Sequence, residues 1–237
     1  MNPYIAAALA EMHRVTVSDL EHPGDTALLP SSCRFLYSFI SAFQARNVLE
    51  FGSGFSSLMI ARAISQFEGG RLISIDDSET DSLSAKAEFE NSGENVKAVF
   101  RTAPLRPRLY GPRLLLSYSL PKGLLGALGP FDLIFIDPPH KGKGRESVLY
   151  DVFPSLSTAG YVIIDDANGA NAELMRIWDE AYGDAIKPVV LEGIGNGLGV
   201  IEKLADTEPF IPARNFLSCA ADTIGESWQQ LRLRRAR

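Results

Sequence analysis

The chain has 237 residues, of which 46% are hydrophobic and 22% charged, and its formal net charge is −6. That length suits one α/β domain with modest additions, and the apolar share supports a sizeable core, which excludes a largely disordered chain. The acidic balance disfavours nucleic acid as a partner, because binding to phosphates calls for a basic surface. Residues 5–10 form a short apolar run with no basic start, and Glu11 follows at once, so the segment reads as an Ala-rich helix and not as a signal peptide. A polar stretch broken by Pro23-Gly24 and Pro30 comes next. Residues 1–30 are therefore expected to be an N-terminal helical appendage, with two roles open to it: a lid over a pocket, or a homodimer contact. Ser31 and Ser32 are suited to cap a helix over 33–44, whose inward face carries Phe35, Leu36, Phe39 and Ile40.

From residue 47 the chain alternates strands and helices. Residues 47–51 read as a buried strand, ended by Gly52 and Gly54. A helix over 56–66 follows, with Leu58, Ile60, Ala61 and Ile64 inward, and Gly69-Gly70 stops it. A second strand over 71–75 closes on Asp76-Asp77, a helix over 80–91 follows, and 96–100 is a third strand. Strands over 131–136 and 161–164 flank a helix near 147–154. This rhythm predicts parallel βαβ units with right-handed crossovers. Residues 188–191 and 198–204, joined across Gly193-Ile194-Gly195-Asn196-Gly197, read as a hairpin, which gives the sheet an antiparallel last strand. The expected fold is α/β: a doubly wound, mostly parallel, seven-stranded sheet spanning 31–213. Residues 214–237 read as a terminal helix with a basic tail. Residues 102–130 exceed a plain crossover and carry Arg106, Arg108, Tyr110, Arg113, Tyr118 and Lys122; a lid, a solvated loop and a hairpin all remain open for them.

No apolar stretch of about 18 residues occurs, so no membrane span is expected. Cys33 and Cys219 lie in no metal-finger or CxxC spacing, which fits two reduced thiols and a cytoplasmic protein.

Gly52 and Gly54 follow a strand and open a helix, where glycine permits a sharp turn and a close approach of backbone to ligand. The free amides of the helix's first turn favour a polar or anionic group. Asp76, at the end of the next strand, can accept hydrogen bonds from two ribose hydroxyls. A dinucleotide loop wants a third glycine where this chain has Ser57, and Glu50 is an unusual acid for such a loop. A cofactor with a free ammonium group accounts for an acid there.

The run Val48-Leu49-Glu50-Phe51-Gly52-Ser53-Gly54-Phe55-Ser56-Ser57 resembles the first motif of class I S-adenosylmethionine-dependent methyltransferases. Its E-x-G-x-G-x-S form is similar to small-molecule O-methyltransferases of the catechol and caffeoyl-CoA type and their bacterial relatives, and the resemblance covers about residues 30–205. It implies S-adenosyl-L-methionine as cofactor. Glu50, Gly52, Ser53, Gly54 and Ser56 are then expected around its methionine part, Asp76 and Asp77 at the ribose, and Ala103, after Thr102, near the adenine.

Phe131 to His140 and Tyr161 to Asn168 bring Asp137, Asp165 and Asp166 to the ends of two strands, where open α/β sheets bind ligands. Three carboxylates there repel unless protonated or neutralised, and an all-oxygen set suits Mg²⁺, Ca²⁺ or Mn²⁺. Metal-dependent relatives use an acid after the fourth strand and an Asp-Asn pair after the fifth, so the resemblance makes Asp137, Asp165 and Asp166 candidate metal ligands, with Asp166 standing in the family's Asn position. The other reading has Asp165 and Asp166 capping the next helix, and Asp137 orienting the acceptor or the cofactor ammonium. His140 stands where those relatives carry a base, and a neutral imidazole can take a hydroxyl proton near pH 7. His140 and Asp137 are thus the candidate catalytic residues; His13 and His22 belong to no motif.

The expected activity is methyl transfer to a small-molecule hydroxyl. Asp137-Pro138-Pro139-His140 also looks like the Asp-Pro-Pro-aromatic motif of nucleic-acid amino-methyltransferases, which keeps an RNA substrate as an alternative. A non-catalytic cofactor-binding module and a dinucleotide-dependent oxidoreductase are further alternatives.

Overall fold

The computed structural model describes residues 2–15, 28–137, 144–168, 172–211, 213, 223–225 and 227. Helix α1 (Pro3–Glu11) starts on Asn2, whose side chain accepts from the backbone N–H groups of Tyr4 and Ile5. Helix α2 (Pro30–Phe43) has proline in its first turn and ends on Gln44 in the left-handed conformation. Ser31 and Ser32 therefore lie inside this helix and do not cap it, because Pro30 starts it earlier, with Leu29 at the cap position. Strand β1 (Asn47–Phe51) follows, then α3 (Phe55–Ile64) and β2 (Arg71–Asp76). Since α3 begins at Phe55, its buried stripe runs through Met59, Ile60, Ala63 and Ile64, and Leu58, expected inward, is only half-buried. Helix α4 (Glu79–Ser92) is capped by the Ser78 hydroxyl, which accepts from the Asp81 N–H at 3.2 Å, and it stops at the left-handed Gly93.

Strand β3 (Lys97–Thr102) leads into β4 (Leu105–Tyr110) and β5 (Arg113–Tyr118), which form a separate two-stranded antiparallel hairpin. Of the readings left open for this segment, the structure selects the hairpin. Its outer strand exposes Arg106 and Arg108, and its inner strand buries Leu115, Leu116 and Tyr118. After a short helix α5 (Leu124–Leu128) come β6 (Phe131–Ile136), α6 (Gly144–Val152), β7 (Leu156–Ile164) and α7 (Ala172–Tyr182). The last two strands are β8 (Ile186–Leu191) and β9 (Leu198–Lys203).

The main sheet has seven strands in the order β3-β2-β1-β6-β7-β9-β8. Strand β1 is parallel to both β2 and β6, β2 to β3, and β6 to β7, while β9 is antiparallel to β7 and β8. The expected doubly wound sheet with an antiparallel last strand is thus the observed one. One face packs on α1, α2 and α3 through Phe35, Phe39, Met59 and Ile60; the other packs on α6, α7 and the hairpin through Leu149, Trp178 and Leu115. Helix α1 is part of the first layer, and Asn2 ties it down by donating to Tyr161 at 2.8 Å and to Glu202 at 3.0 Å. No helix among the described residues is long and apolar enough to cross a membrane. Of the expected C-terminal helix, only 223–225 and 227 are described; the Thr223 hydroxyl donates to the Leu114 carbonyl at 2.9 Å. The basic tail lies outside the described residues.

Candidate active site

Because β1, β2, β6 and β7 run parallel, their carboxyl ends share one rim. The chain order reverses between β1 and β6, and ligands of open α/β sheets bind at such a switch point. At this point the Asp137 N–H donates to the Phe51 carbonyl at 3.1 Å, and the Asp165 N–H to the Ile136 carbonyl at 3.0 Å. The turn after β1 and the acids after β6 and β7 are therefore neighbours along one edge.

The turn's shape follows from its residues. Gly52 adopts φ 103°, a conformation open to glycine and costly for other residues, and its N–H donates to the Ile75 carbonyl at 2.8 Å. The Ser53 N–H donates to an Asp76 carboxylate oxygen at 2.7 Å, and the other Asp76 oxygen accepts the Ser78 N–H at 2.7 Å. Burial raises the Asp76 pKa, against these two hydrogen bonds. The Ala103 N–H donates to the Asp76 carbonyl at 2.7 Å, which fixes the end of β3 beside the same acid, and Asp77 is half-buried next to it. A Cβ at Gly54 meets no atom within 4 Å, so open space lies over the first turn of α3. Gly54 supplies no side-chain cap to that turn, whose Ser57 N–H donates to the Gly54 carbonyl at 3.0 Å, and the amides of Phe55 and Ser56 are left for a ligand.

Glu50 lies beneath the turn and is fully buried. Its carboxylate accepts three hydroxyls, from Ser56 at 2.5 Å, Ser57 at 2.5 Å and Ser74 at 2.7 Å. Ser57 also accepts the Gly54 N–H at 3.1 Å, so the acid is linked to the backbone of the turn. Burial pushes the Glu50 pKa up to about 7, with the three hydroxyls opposing it. This differs from a free acid facing an ammonium group: a charge in the interior needs partners, and the serines supply them. Ser56 is likewise committed to Glu50. The acid nearest the turn that is not fully buried is Asp137, half-buried at the tip of β6.

The side-chain oxygens of Asp137, Asp165 and Asp166 come within 4.8 Å of one another. Burial pushes Asp137 to about 6, with Asp166 and Asp76 adding to the rise and Arg145 opposing it. Burial also pushes Asp165 to about 7, aided by the charges of Asp137 and Asp166. The Ser32 hydroxyl donates to Asp165 at 3.2 Å, so a serine that reads as a cap instead reaches the rim from α2.

Two further described residues reach the rim. Arg145, at the start of α6, is 1% exposed; it donates from Nη1 to the Asp165 carbonyl at 2.5 Å, and its Nη2 lies 3.5 Å from Asp137 and 3.4 Å from Asp166. Nothing in the sequence marks this lone arginine, because its relation to the acids exists only once α6 folds back over β6 and β7. Tyr118, one residue of the 102–130 segment, packs its ring on Phe51 at 4.9 Å. Its buried hydroxyl has no hydrogen-bond partner among the described residues. Burial and the charges of Asp77, Asp76 and Asp137 raise its pKa well above the usual value.

The three acids alone suit an oxygen-seeking cation, but as they stand they do not fit a resident divalent ion. Their oxygens already serve Arg145, Ser32 and Asn196, and the Asn196 amide donates to Asp166 at 3.0 Å. Two unit charges 4 Å apart interact by about 4 kcal/mol at an effective dielectric near 20, so the guanidinium offsets the attraction of one carboxylate for a cation placed among the acids. By contrast, the turn fits a nucleoside-type ligand: it offers open space over Gly54, uncapped amides, the Asp76 carboxylate and an unpartnered tyrosine hydroxyl. His140, with Pro138 and Pro139, lies outside the described residues, as does His22; His13 is exposed on the helical layer.

Comparison with solved structures places the fold. A methyltransferase from Geobacter sulfurreducens is 18% identical, with 84% of this chain and 88% of that chain covered and a TM-score of 0.53. The O-methyltransferase TomG from Streptomyces achromogenes, involved in tomaymycin synthesis and solved with SAM, is 18% identical over 86% and 91%, with a TM-score of 0.56. An O-methyltransferase from Bacillus cereus, solved with SAH, is 17% identical over 86% and 91%, with a TM-score of 0.55. At these identities the likeness shows a shared fold. No curated protein matches the chain significantly by sequence. The family model described as "Methyltransferase domain" matches residues 49–167, from β1 through the acids after β7. That match spans half of the chain, and the protein therefore belongs to the methyltransferase domain family.

Proposed function

We propose that the protein transfers a methyl group from S-adenosyl-L-methionine to a hydroxyl oxygen of a small molecule. One observation carries this reading: the Gly52 turn, Asp76 and Asp137 meet at the switch point of the sheet. The S-adenosylmethionine and S-adenosylhomocysteine in TomG and the Bacillus cereus enzyme support the cofactor, and the O-methyltransferase names of both support an oxygen acceptor.

When bound, the cofactor supplies a methyl group activated on a sulfonium. The first-turn amides of α3 receive its carboxylate end, Asp137 faces its ammonium group, Asp76 takes the ribose hydroxyls, and Ala103 borders the adenine. The remaining task is alignment of an acceptor oxygen and removal of its proton. His140, three residues beyond Asp137 in the chain, is the base in this reading. A divalent ion is not part of it, because Arg145 already serves the acids.

Calorimetry with S-adenosylhomocysteine and with NAD tests the cofactor: the first is expected to bind and the second not, and the reverse overturns the reading. Turnover of radiolabelled S-adenosylmethionine with a panel of hydroxylated aromatic acceptors then tests the reaction. His140→Ala is expected to lower turnover by at least tenfold with cofactor affinity unchanged; equal turnover removes the base assignment.

A further inference from the structure

We propose that Arg145 is the resident cation of the acidic rim, and that it excludes a divalent ion from the site. This rests on the methyl-transfer reading, in which the rim adjoins the cofactor. Arg145 is buried at the second position of α6, in a span that reaches both strand ends. Its guanidinium serves three groups at once: the Asp165 carbonyl, Asp137 and Asp166. A planar fork with five donors can satisfy several oxygens together, whereas a lysine ammonium is a compact point charge.

Four of the six carboxylate oxygens face side-chain donors among the described residues. Asp137 Oδ1 and Asp166 Oδ2 face Arg145, Asp166 Oδ1 accepts the Asn196 amide, and Asp165 Oδ1 accepts the Ser32 hydroxyl. A magnesium ion needs near-octahedral oxygens at about 2.0–2.1 Å, and calcium needs six to eight at about 2.3–2.6 Å. A guanidinium cannot be a ligand, because it stays protonated and has no lone pair to give. An ion that gathers oxygens from all three acids has to compete with Arg145 and with the Ser32 and Asn196 donors, and it then sits beside the guanidinium charge. Arg145 therefore acts as a positioning residue, holding Asp137 and the end of β7 together in the role an ion would otherwise take. An acceptor bound here has no need of a chelating pair of adjacent hydroxyls.

Titration with Mn²⁺, followed by the electron paramagnetic resonance signal of the free ion, tests this without cofactor or turnover. The wild-type protein is expected to bind no stoichiometric Mn²⁺ up to about millimolar concentration. Arg145→Ala, checked for folding by near-ultraviolet circular dichroism, is expected to bind one Mn²⁺ at least tenfold more tightly than wild type, and adding Asp165→Asn to it is expected to abolish that binding. Micromolar binding of one Mn²⁺ by the wild type, lost in Asp165→Asn, overturns the proposal. So does a folded Arg145→Ala protein that gains no Mn²⁺. If Arg145→Ala does not fold, the wild-type titration decides alone. A protein that excludes Mn²⁺ but fails to bind S-adenosylhomocysteine refutes the methyl-transfer reading and leaves Arg145 as assigned.

Discussion

The carboxylate of Asp76 accepts the backbone N–H of Ser53 at 2.7 Å, so the acid expected at the ribose also holds the turn that forms the floor of the crevice. Its second oxygen holds Ser78 at the start of α4. Removing the carboxylate therefore acts twice, on a ligand contact and on the turn itself. Asp76→Ala is expected to weaken S-adenosylhomocysteine binding by one to two orders of magnitude, in line with about 1.5–3 kcal/mol for hydrogen bonds to a charged group. Asp76→Asn, which keeps one acceptor oxygen, should fall between the two. Isothermal titration calorimetry measures both; wild-type affinity in the alanine variant contradicts the assignment.

Glu50 gathers Ser56, Ser57 and Ser74 onto one carboxylate. Glutamine at this position has a single acceptor oxygen, and its amide brings two donors to a place already crowded with them. At least one buried hydroxyl loses its acceptor, which costs about 1–3 kcal/mol. Glu50→Gln is expected to lower the melting temperature by several degrees and to weaken cofactor binding through the displaced turn. Calorimetric unfolding with and without S-adenosylhomocysteine checks both; an unchanged melting temperature shows that the hydroxyls find partners elsewhere.

Burial raises Glu50 to about 7, Asp137 to about 6 and Asp165 to about 7, each above its ordinary carboxyl value. A raised folded-state pKa means that the folded protein binds protons more tightly than the unfolded chain. The associated stability is fully present below about pH 4 and is lost as pH rises through about 6–7. In that window the ligand-free protein is expected to become less stable with rising pH, which a lower urea midpoint at pH 8 than at pH 5.5 would show. Cofactor binding should run the other way: a ligand with an ammonium and a sulfonium favours the ionised acids, so its affinity increases from pH 5.5 to 7.5. Affinity independent of pH contradicts a role for Asp137 beside the ammonium.

The fold was legible because its information is local. Apolar runs such as Val48 to Phe51 and Leu133 to Ile136, punctuated by Gly52 and Gly69-Gly70, mark strand and helix ends without reference to the rest of the chain. The two rim segments were legible for the same reason, since Gly52, Asp76, Asp137 and Asp165 each sit at a strand end. The partners of those residues were not. Arg145 meets Asp137 and Asp166 only through the packing of α6, and Ser32 meets Asp165 across 133 residues of sequence. Glu50 reads as a ligand contact because its spacing from Gly52 is visible, whereas the serine hydroxyls that bury it converge from two elements. The hairpin was ambiguous because β4 alternates weakly, with Leu109 exposed and Pro107 within the strand.

Tyr118 joins that hairpin to the crevice. Its ring lies on Phe51, the last residue of β1, and Asp76, Asp77 and Asp137 all act on its hydroxyl. A buried hydroxyl without a partner costs about 1–3 kcal/mol, a penalty that a bound ligand accepting its hydrogen bond removes. Tyr118→Phe deletes the hydroxyl and keeps the ring. The ligand-free variant is expected to melt about 2–4 °C higher, the shift that corresponds to about 1 kcal/mol in a domain of this size. The same variant should bind S-adenosylhomocysteine about five- to tenfold more weakly, so that ligand raises its melting temperature less than it raises that of the wild type. The two measurements together separate a ligand-directed hydroxyl from a merely tolerated one. A variant that gains stability and keeps wild-type affinity shows that the hydroxyl serves no ligand, and one that loses stability shows that a partner already satisfies it in the ligand-free protein.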